Sequence, residues 1–336
     1  MRDGGYNDKI TIADVAEALG VSKTTVSRAI SGKGRIGGET KQRVLQYIER
    51  NGYQPNVIAK SLAQSKTYNI AMLQPVGCNI AELPFFQNCM YGVCRAAVAR
   101  DYDVLVVYQS GGAKETLERI ISNHKIDGIL ISRTLVSDET VDYVKGKHIP
   151  LVAIGSSSDE ELIQVDNDHL SACRELTGYL LRRGAQRMAL IGGNRQHVVT
   201  RTRYQGFAEA FHEADIPILA ELVYLDVDEE SRVEEIVNDA MAKKADCIVC
   251  MDDMICSRVL ECLERRQVLV PEQIQVASFY NSLLIGNRVP QVTTLTFDVA
   301  KLGVAACDTL LDVIEGKNVK RKQLLPYYVS VKESTK

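Results

Sequence analysis

From Tyr68 onward the chain alternates short apolar segments of strand character with longer segments of helical periodicity, and this alternation restricts the fold more than any other feature. Strand candidates are Asn69–Leu73, Asp103–Val107, Gly128–Ile131, Leu151–Ile154, Arg187–Ile191, Asp246–Cys250 and Gln275–Phe279. Between them lie runs such as Gln87–Arg100, where Met90, Val93, Cys94, Ala97 and Val98 follow helical spacing. Strands alternating with helices predict parallel sheets covered by helices. A body of about 270 residues exceeds the usual size of one domain and is expected to divide into two lobes. In such folds a crevice opens beyond the carboxyl ends of the strands.

The residues just after the strands are therefore the candidates for that crevice. They are Phe85 and Phe86, Arg133 and Thr134, Asp166 and Asn167, then His197, Arg201 and Arg203, then Asp252 and Asp253, and finally Tyr280 and Asn281. Phe85 and Phe86 suit an aromatic wall, with an ordinary core as the lesser alternative. Each polar candidate is also compatible with a surface or capping role. Asp253 in particular is placed to cap a helix over Met254–Arg265.

The first 66 residues are a different kind of sequence. They hold 11 Lys/Arg against 6 Asp/Glu, whereas the remainder holds 29 against 37, so a net charge of −3 conceals a basic head on an acidic body. Thr11-Ile12-Ala13-Asp14 sets a hydroxyl three residues before an acid, a variant of the capping box. Ile12, Val15, Ala16 and Leu19 then share one helical face, and Gly20 ends the helix. Ser22 can cap a second helix from Lys23 to Ile30, and a third is expected at about Glu39–Asn51, ended by Gly52. Two short helices about a glycine turn form a helix-turn-helix. Ala16, Val21 and Val26 are its expected core, closed by Val44, Leu45 and Ile48. The outer face of the second helix carries Lys23, Thr24, Ser27 and Arg28, short hydroxyls and an Arg fork suited to bases and phosphates. Pro55-Asn56 followed by Val57–Ala63 reads as a two-turn helix, marginal on its own because nucleation is costly.

Ile12-Ala-Asp-Val-Ala16, Gly20-Val-Ser-Lys-Thr-Thr-Val-Ser-Arg28, Glu39-Thr40, Gly52-Tyr53-Gln54-Pro55-Asn56 and Ala59-Lys60-Ser61-Leu62 closely resemble the LacI/GalR transcription regulators, in order and spacing over some fifty residues. The resemblance implies an all-α helix-turn-helix DNA-binding head on an α/β two-lobed periplasmic-binding-protein-like (type I) body with three crossovers between lobes. It implies a head at 9–54, a hinge helix and linker at 55–66, and an effector-binding and dimerisation domain at 67–336. The N-lobe is expected at about 67–166 plus 298–324 and the C-lobe at about 167–297 plus 325–333. DNA contacts are expected from Thr11, Ser22, Lys23, Thr24, Thr25, Ser27, Arg28, Asn56, Ala59, Lys60 and Leu62, with Leu62 prising open a base step in the minor groove. Effector contacts are expected from Phe85, Phe86, Arg133, Thr134, Asp166, His197, Arg203, Asp252 and Tyr280. Of these, Arg203 lies in Arg203-Tyr-Gln-Gly-Phe207, which matches the family's Arg-x-x-Gly-Phe. Asp253 is implied to be structural.

The sequence departs from the family at three places. Gly37-Gly38 stands where a capping Ser is usual, Ala63 where a Lys or Arg often follows the Leu, and Tyr280 where an Asp commonly binds sugar hydroxyls. With that carboxylate gone, the Arg133 and Arg203 forks tilt the expectation toward a sugar phosphate or sugar acid over a neutral sugar. The implied partners are a pseudo-palindromic operator, the small-molecule effector and a second copy of the chain. Some members tetramerise through a leucine-repeat tail, and with a tail ending at Lys336 a dimer is the expectation here.

Other functions find less support. His124, His148, His169, His197 and His212 are scattered, and no nucleophile elbow, zinc-protease helix or phosphate-binding lysine loop is present, so no enzyme, cofactor or metal is expected. Cys247-Ile-Val-Cys250 has half the spacing of a zinc site without a second pair, and nine cysteines in mostly apolar runs read as buried thiols. No run approaches the roughly 18 apolar residues of a membrane span and the start lacks a signal peptide's apolar stretch, so a cytoplasmic protein is expected. The competing reading is a ligand sensor or transport-type binding protein whose head lacks operator specificity.

Overall fold

The structure, a computed structural model, describes residues 10–31, 34–53, 66–75, 83–109, 113–136, 139–227 and 230–336. The chain forms two compact units, Met1–Thr67 and Tyr68–Lys336.

In the first unit, α1 (Ile12–Leu19), α2 (Lys23–Ser31) and α3 (Gly38–Asn51) pack as a small bundle. The capping box is formed in both directions: the Thr11 N–H donates to Asp14 Oδ2 at 2.7 Å and the Asp14 N–H to Thr11 Oγ1 at 3.4 Å. Gly20 adopts φ 66°, a left-handed conformation that costs glycine little, and its N–H closes the helix on Ala16 and Glu17. The Thr25 N–H then donates to Ser22 Oγ at 3.1 Å, so the second helix starts after a turn of only three residues, Gly20 to Ser22. Val15, Ala16, Val26, Ala29, Val44 and Tyr53 form the buried core, with Val21 and Ile48 packed at its margin. Leu45 was expected to help close this bundle, but it is 43% exposed. Val44 and Ile48 lie one turn apart on the inward face, and Leu45 is rotated about 100° from Val44 toward solvent. The third helix begins at Gly38, one residue earlier than expected, and its N-cap Gly37 makes no side-chain cap bond.

The second unit is built on two six-stranded sheets. Its strands are β1 (Asn69–Pro75), β2 (Asp103–Gln109), β3 (Gly128–Ile131), β4 (Leu151–Ile154), β5 (Ile163–Asn167), β6 (Met188–Ile191), β7 (Val223–Tyr224), β8 (Cys247–Cys250), β9 (Gln275–Ser278), β10 (Thr293–Phe297), β11 (Lys322–Leu325) and β12 (Tyr327–Ser330). Its helices are α4 (Leu83–Val98), α5 (Ala113–Ser122), α6 (Glu139–Lys145), α7 (His169–Arg182), α8 (Val198–Glu213), α9 (Glu230–Ala242), α10 (Asp253–Arg265), α11 (Leu283–Gly286) and α12 (Val299–Ile314).

The first sheet runs β11-β5-β4-β3-β1-β2 and is parallel throughout. The second runs β12-β10-β9-β8-β6-β7, parallel except for β12, which lies antiparallel to β10 with Leu295 opposite Val329. Strands buried on both faces read as continuous apolar runs, as Gly128–Ile131 and Cys247–Cys250 do. Each sheet is covered by a separate apolar cluster on either side, so each lobe has its own core.

The chain passes between lobes three times: from β5 into α7, from β10 into α12 and from β11 into β12. Helix α4 begins at Leu83, before the expected Gln87, which places Phe85 and Phe86 in its first turn. On the same helix Val98 is 71% exposed, at the last helical position and outside the core its spacing suggested. Cys247 and Cys250 are buried in the middle of the second sheet, where burial pushes both thiols up from their ordinary pKa. Among the described residues no helix is long and apolar enough to cross a membrane.

Candidate nucleic-acid interface and effector cleft

The head offers one polar face. Ser22, Lys23, Thr24, Ser27 and Arg28 on or beside α2 are exposed, Thr25 is half-buried, and Val26 and Ala29 turn into the core. The side chains therefore divide between two jobs. Thr11, Ser22 and Thr25 are engaged in capping, with the Ser22 and Thr25 hydroxyls 2.9 Å apart. Lys23, Thr24, Ser27 and Arg28 remain directed to solvent. The Arg28 side chain lies along Gly34, whose open backbone leaves room for it. Arg43 donates to the Leu19 carbonyl at 3.3 Å and ties α3 to the end of α1, holding the turn. Asn56, Ala59, Lys60 and Leu62, expected at the hinge, lie outside the described residues.

In the body, a cleft of about 680 Å³ opens between the lobes. Phe85, Phe86, Arg133, Thr134, Asp166, His197, Arg203, Asp252 and Tyr280 all line it, although they come from widely separated segments. The strand ends explain the convergence: β3 leads into Arg133, β5 ends on Asp166-Asn167, β8 leads into Met251-Asp252, and β9 leads into Tyr280.

One wall is aromatic. Phe85 meets Phe86 edge-on at 5.2 Å and Tyr280 at 6.1 Å, the second contact running from one lobe to the other. Both expected cations lie on rings: the Arg133 guanidinium is 5.2 Å from the centre of Phe86, and that of Arg203 is 6.0 Å from Tyr280. Arg203 also donates through an Nη to the Met251 carbonyl, which fixes its reach along the cleft. Burial raises the Tyr280 hydroxyl above its ordinary pKa, with Asp253 adding to the effect, so Tyr280 is neutral.

The floor is polar and almost closed to solvent. Asp166 is buried, and its Oδ2 accepts from the Ser156 N–H and hydroxyl at 2.8 Å each, while Oδ1 accepts from the Asn167 N–H at 2.8 Å. Burial outweighs these donors and lifts the carboxyl to about 6. His169, at the start of α7, sets its Nε2 3.6 Å from Asp166 Oδ1 and its ring 4.6 Å from that of Phe297. Burial, with Arg203 nearby, drives the imidazole well below its ordinary pKa and keeps it neutral. His169 Nδ1, Arg203 Nε and the side-chain amide of Asn167 are all shielded from water and make no hydrogen bond.

One candidate role is corrected. Helix α10 starts at Asp253, and its cap is Asp252, whose Oδ1 accepts from the Ile255 N–H at 2.8 Å. Asp253 is instead buried beside the cleft. The cap needs an extended backbone and a side chain three residues before its donor, and Asp252 satisfies both. Thr134 lines the cleft but donates its hydroxyl to the Ser156 carbonyl at 2.5 Å.

Thr134 also belongs to a clasp between the lobes. Leu135 forms an antiparallel bridge with His197, the Val136 N–H donates to the Gln196 carbonyl at 2.9 Å, and the Val198 N–H to the Thr134 carbonyl at 3.3 Å. Sequence reasoning passed over Ser156, His169, Asn194 and Arg258, which also line the cleft. For His169 a signal existed: it directly follows Asp166-Asn167-Asp168 at the end of a strand, the same rule that selected Asp166.

Residues 11–56 match the family described as bacterial regulatory proteins, lacI family, and residues 177–335 match the periplasmic binding protein-like domain. The chain is 26% identical over 333 residues to the HTH-type transcriptional regulator MalR of Staphylococcus xylosus, covering 97% of this chain and 98% of that protein. It is 24% identical over 332 residues to catabolite control protein A of Staphylococcus aureus, with 97% and 99% covered. Among solved structures, the transcriptional regulator CelR in complex with cellobiose superposes with a TM-score of 0.73 at 25% identity, over 97% of this chain and 99% of that one. The lac repressor dimer bound to operator and an anti-inducer shares the fold with a TM-score of 0.77 at 21% identity, over 98% and 99%.

Proposed function

Because this chain belongs to the lacI family of bacterial regulatory proteins, we propose that it is an operator-binding transcriptional repressor, not an enzyme, whose affinity for DNA is set by a sugar-class effector in the interlobe cleft. One observation carries the reading: a single chain joins a helix-turn-helix with a solvent-directed Lys23-Thr24-Ser27-Arg28 face to a two-lobed body with a ligand-sized cleft. The relative solved with cellobiose supports the effector class.

Two copies present two heads to a pseudo-palindromic operator, since the two-fold symmetry of a dimer is mirrored in its site. Lys23 and Arg28 neutralise phosphates or grip base edges, with Thr24 and Ser27 beside them. Thr11, Ser22 and Thr25 set the pose of the reading helix, and Asn56, Ala59, Lys60 and Leu62 extend the contact into the minor groove, where Leu62 enters a base step. In the body, Phe85, Phe86 and Tyr280 provide the face on which a sugar ring stacks. Arg133, Asp166, His197, Arg203 and Asp252 surround its hydroxyls, and Thr134 borders them. Effector binding alters operator affinity to the extent that the ligand prefers one arrangement of the lobes.

Selection of random duplex DNA by the full-length protein, followed by sequencing, tests the proposal. Enrichment of one palindrome whose recovery changes when cellobiose or maltose is added supports it. Recovery of unrelated sequences would instead favour a ligand sensor whose head lacks operator specificity.

A further inference from the structure

The floor of the cleft contains a buried histidine beside a carboxylate. His169 is 5% exposed and turns Nε2 toward Asp166 Oδ1 at 3.6 Å. A neutral imidazole carries its proton on one nitrogen only, and a facing carboxylate selects the tautomer with that proton on Nε2. Nδ1 then presents a lone pair. It has no partner and is shielded from water. Arg203 Nε, in the same cleft lining, is also unpartnered and shielded, and it can only donate. The two vacancies are thus opposite in kind: one needs a donor, the other an acceptor. A hydroxyl group can donate to Nδ1 or accept from Arg203, whereas the oxygens of a carboxylate or phosphate dianion can only accept.

We propose that His169, oriented by Asp166, is a specificity-determining residue that selects a neutral, hydroxyl-bearing sugar over its acid or phosphorylated counterpart. This rests on the cleft being the effector site, and it reverses the preference for an anionic ligand that the arginine forks suggested. The titratable and charged groups facing Asp166 are His169 from α7 and Arg203 from α8. His169 stays neutral as the pH falls, because burial holds its pKa down. Asp166 does not stay charged, since its carboxyl takes up a proton near pH 6. Once it does, the bias toward Nε2–H weakens and so does recognition of the hydroxyl.

Calorimetry on the full-length protein tests this with cellobiose, maltose and glucose set against cellobionate, maltobionate, gluconate and glucose 6-phosphate. The expected result is that a neutral sugar binds at least about 10-fold tighter than its charged counterpart, and that His169→Phe, which keeps a ring against Phe297, loses about 10-fold or more. The wild-type protein supplies a measurement that needs no substitution: affinity for the neutral sugar should fall severalfold between pH 7.5 and pH 5. Tighter binding of the charged partner overturns the inference and leaves the effector site standing. So does neutral-sugar binding that ignores both the substitution and the pH. If no carbohydrate binds, the inference and the effector half of the functional reading fall together, while operator selection continues to report on the head.

Discussion

Asp166 illustrates how one side chain can be costly to the fold and valuable to the site. Its folded-state pKa of about 6 lies above the ordinary 3.8. Between those values the folded protein holds a proton that the unfolded chain has released. Stability therefore declines as pH rises through this window, and the ionised carboxylate costs up to about 3 kcal/mol at neutral pH. Asp166→Asn is expected to be more stable than wild type by about 1–3 kcal/mol at pH 7.5 and nearly equal to it at pH 4. Urea denaturation at the two values measures the difference, and parallel losses in both proteins would contradict the assignment. His169 titrates in the opposite sense, being held neutral by burial, but it is common to both proteins and cancels in the comparison.

The position of Asp166 was legible in the sequence because it ends a strand. Its solvation was not, because burial depends on Ser156 and Arg203, which are 10 and 37 residues away in the chain. Asp252 and Asp253 show the same boundary. Adjacent acids at a helix start both look like caps, and the backbone conformation decides which one serves.

At the scale of elements, the packing of α7 against α8 sets the floor of the cleft. Gly206 is the point of closest approach: a Cβ built there would lie 2.4 Å from the Leu170 carbonyl and 2.9 Å from the Cys173 Cβ. Backbone cannot yield as a flexible side chain would. This gives the Arg203-x-x-Gly206-Phe207 motif a physical meaning. Phe207 anchors the helix in the core, Gly206 lets it approach α7, and Arg203 and His169 reach one cleft as a result. Gly206→Ala is expected to cost about 1–3 kcal/mol in thermal or urea unfolding. It should also weaken ligand binding, although no atom of Gly206 borders the cleft.

Of the seven strand candidates, β3 and β4 have the expected bounds and the other five shift by one or two residues, while β5, β7, β10, β11 and β12 were not among them. The faces of amphipathic helices were less secure. Leu45 and Val98 share the residue types of their neighbours but fall on or beyond the edge of the apolar stripe.

At the scale of the molecule, the uneven charge becomes a matter of salt. The basic head meets a polyanion and the acidic body does not, so operator affinity should fall linearly with the logarithm of salt concentration, with a slope set by the head. Arg28→Ala should lower the magnitude of that slope by roughly 1 if Arg28 meets a phosphate. It should leave the slope and relax the preferred sequence if Arg28 reads a base. Leu62→Ala should weaken operator binding with little change in salt dependence, because an apolar wedge displaces no counterion. Fluorescence anisotropy across a salt series separates the three cases.

The clasp of Leu135 on His197 has a consequence for timing. Its two hydrogen bonds run between main chains, so they do not depend on which side chains stand at those positions. Any parting of the lobes on that side breaks both bonds. Opening there is slower than it would be without the clasp, and the exchange of any ligand that passes that way slows with it.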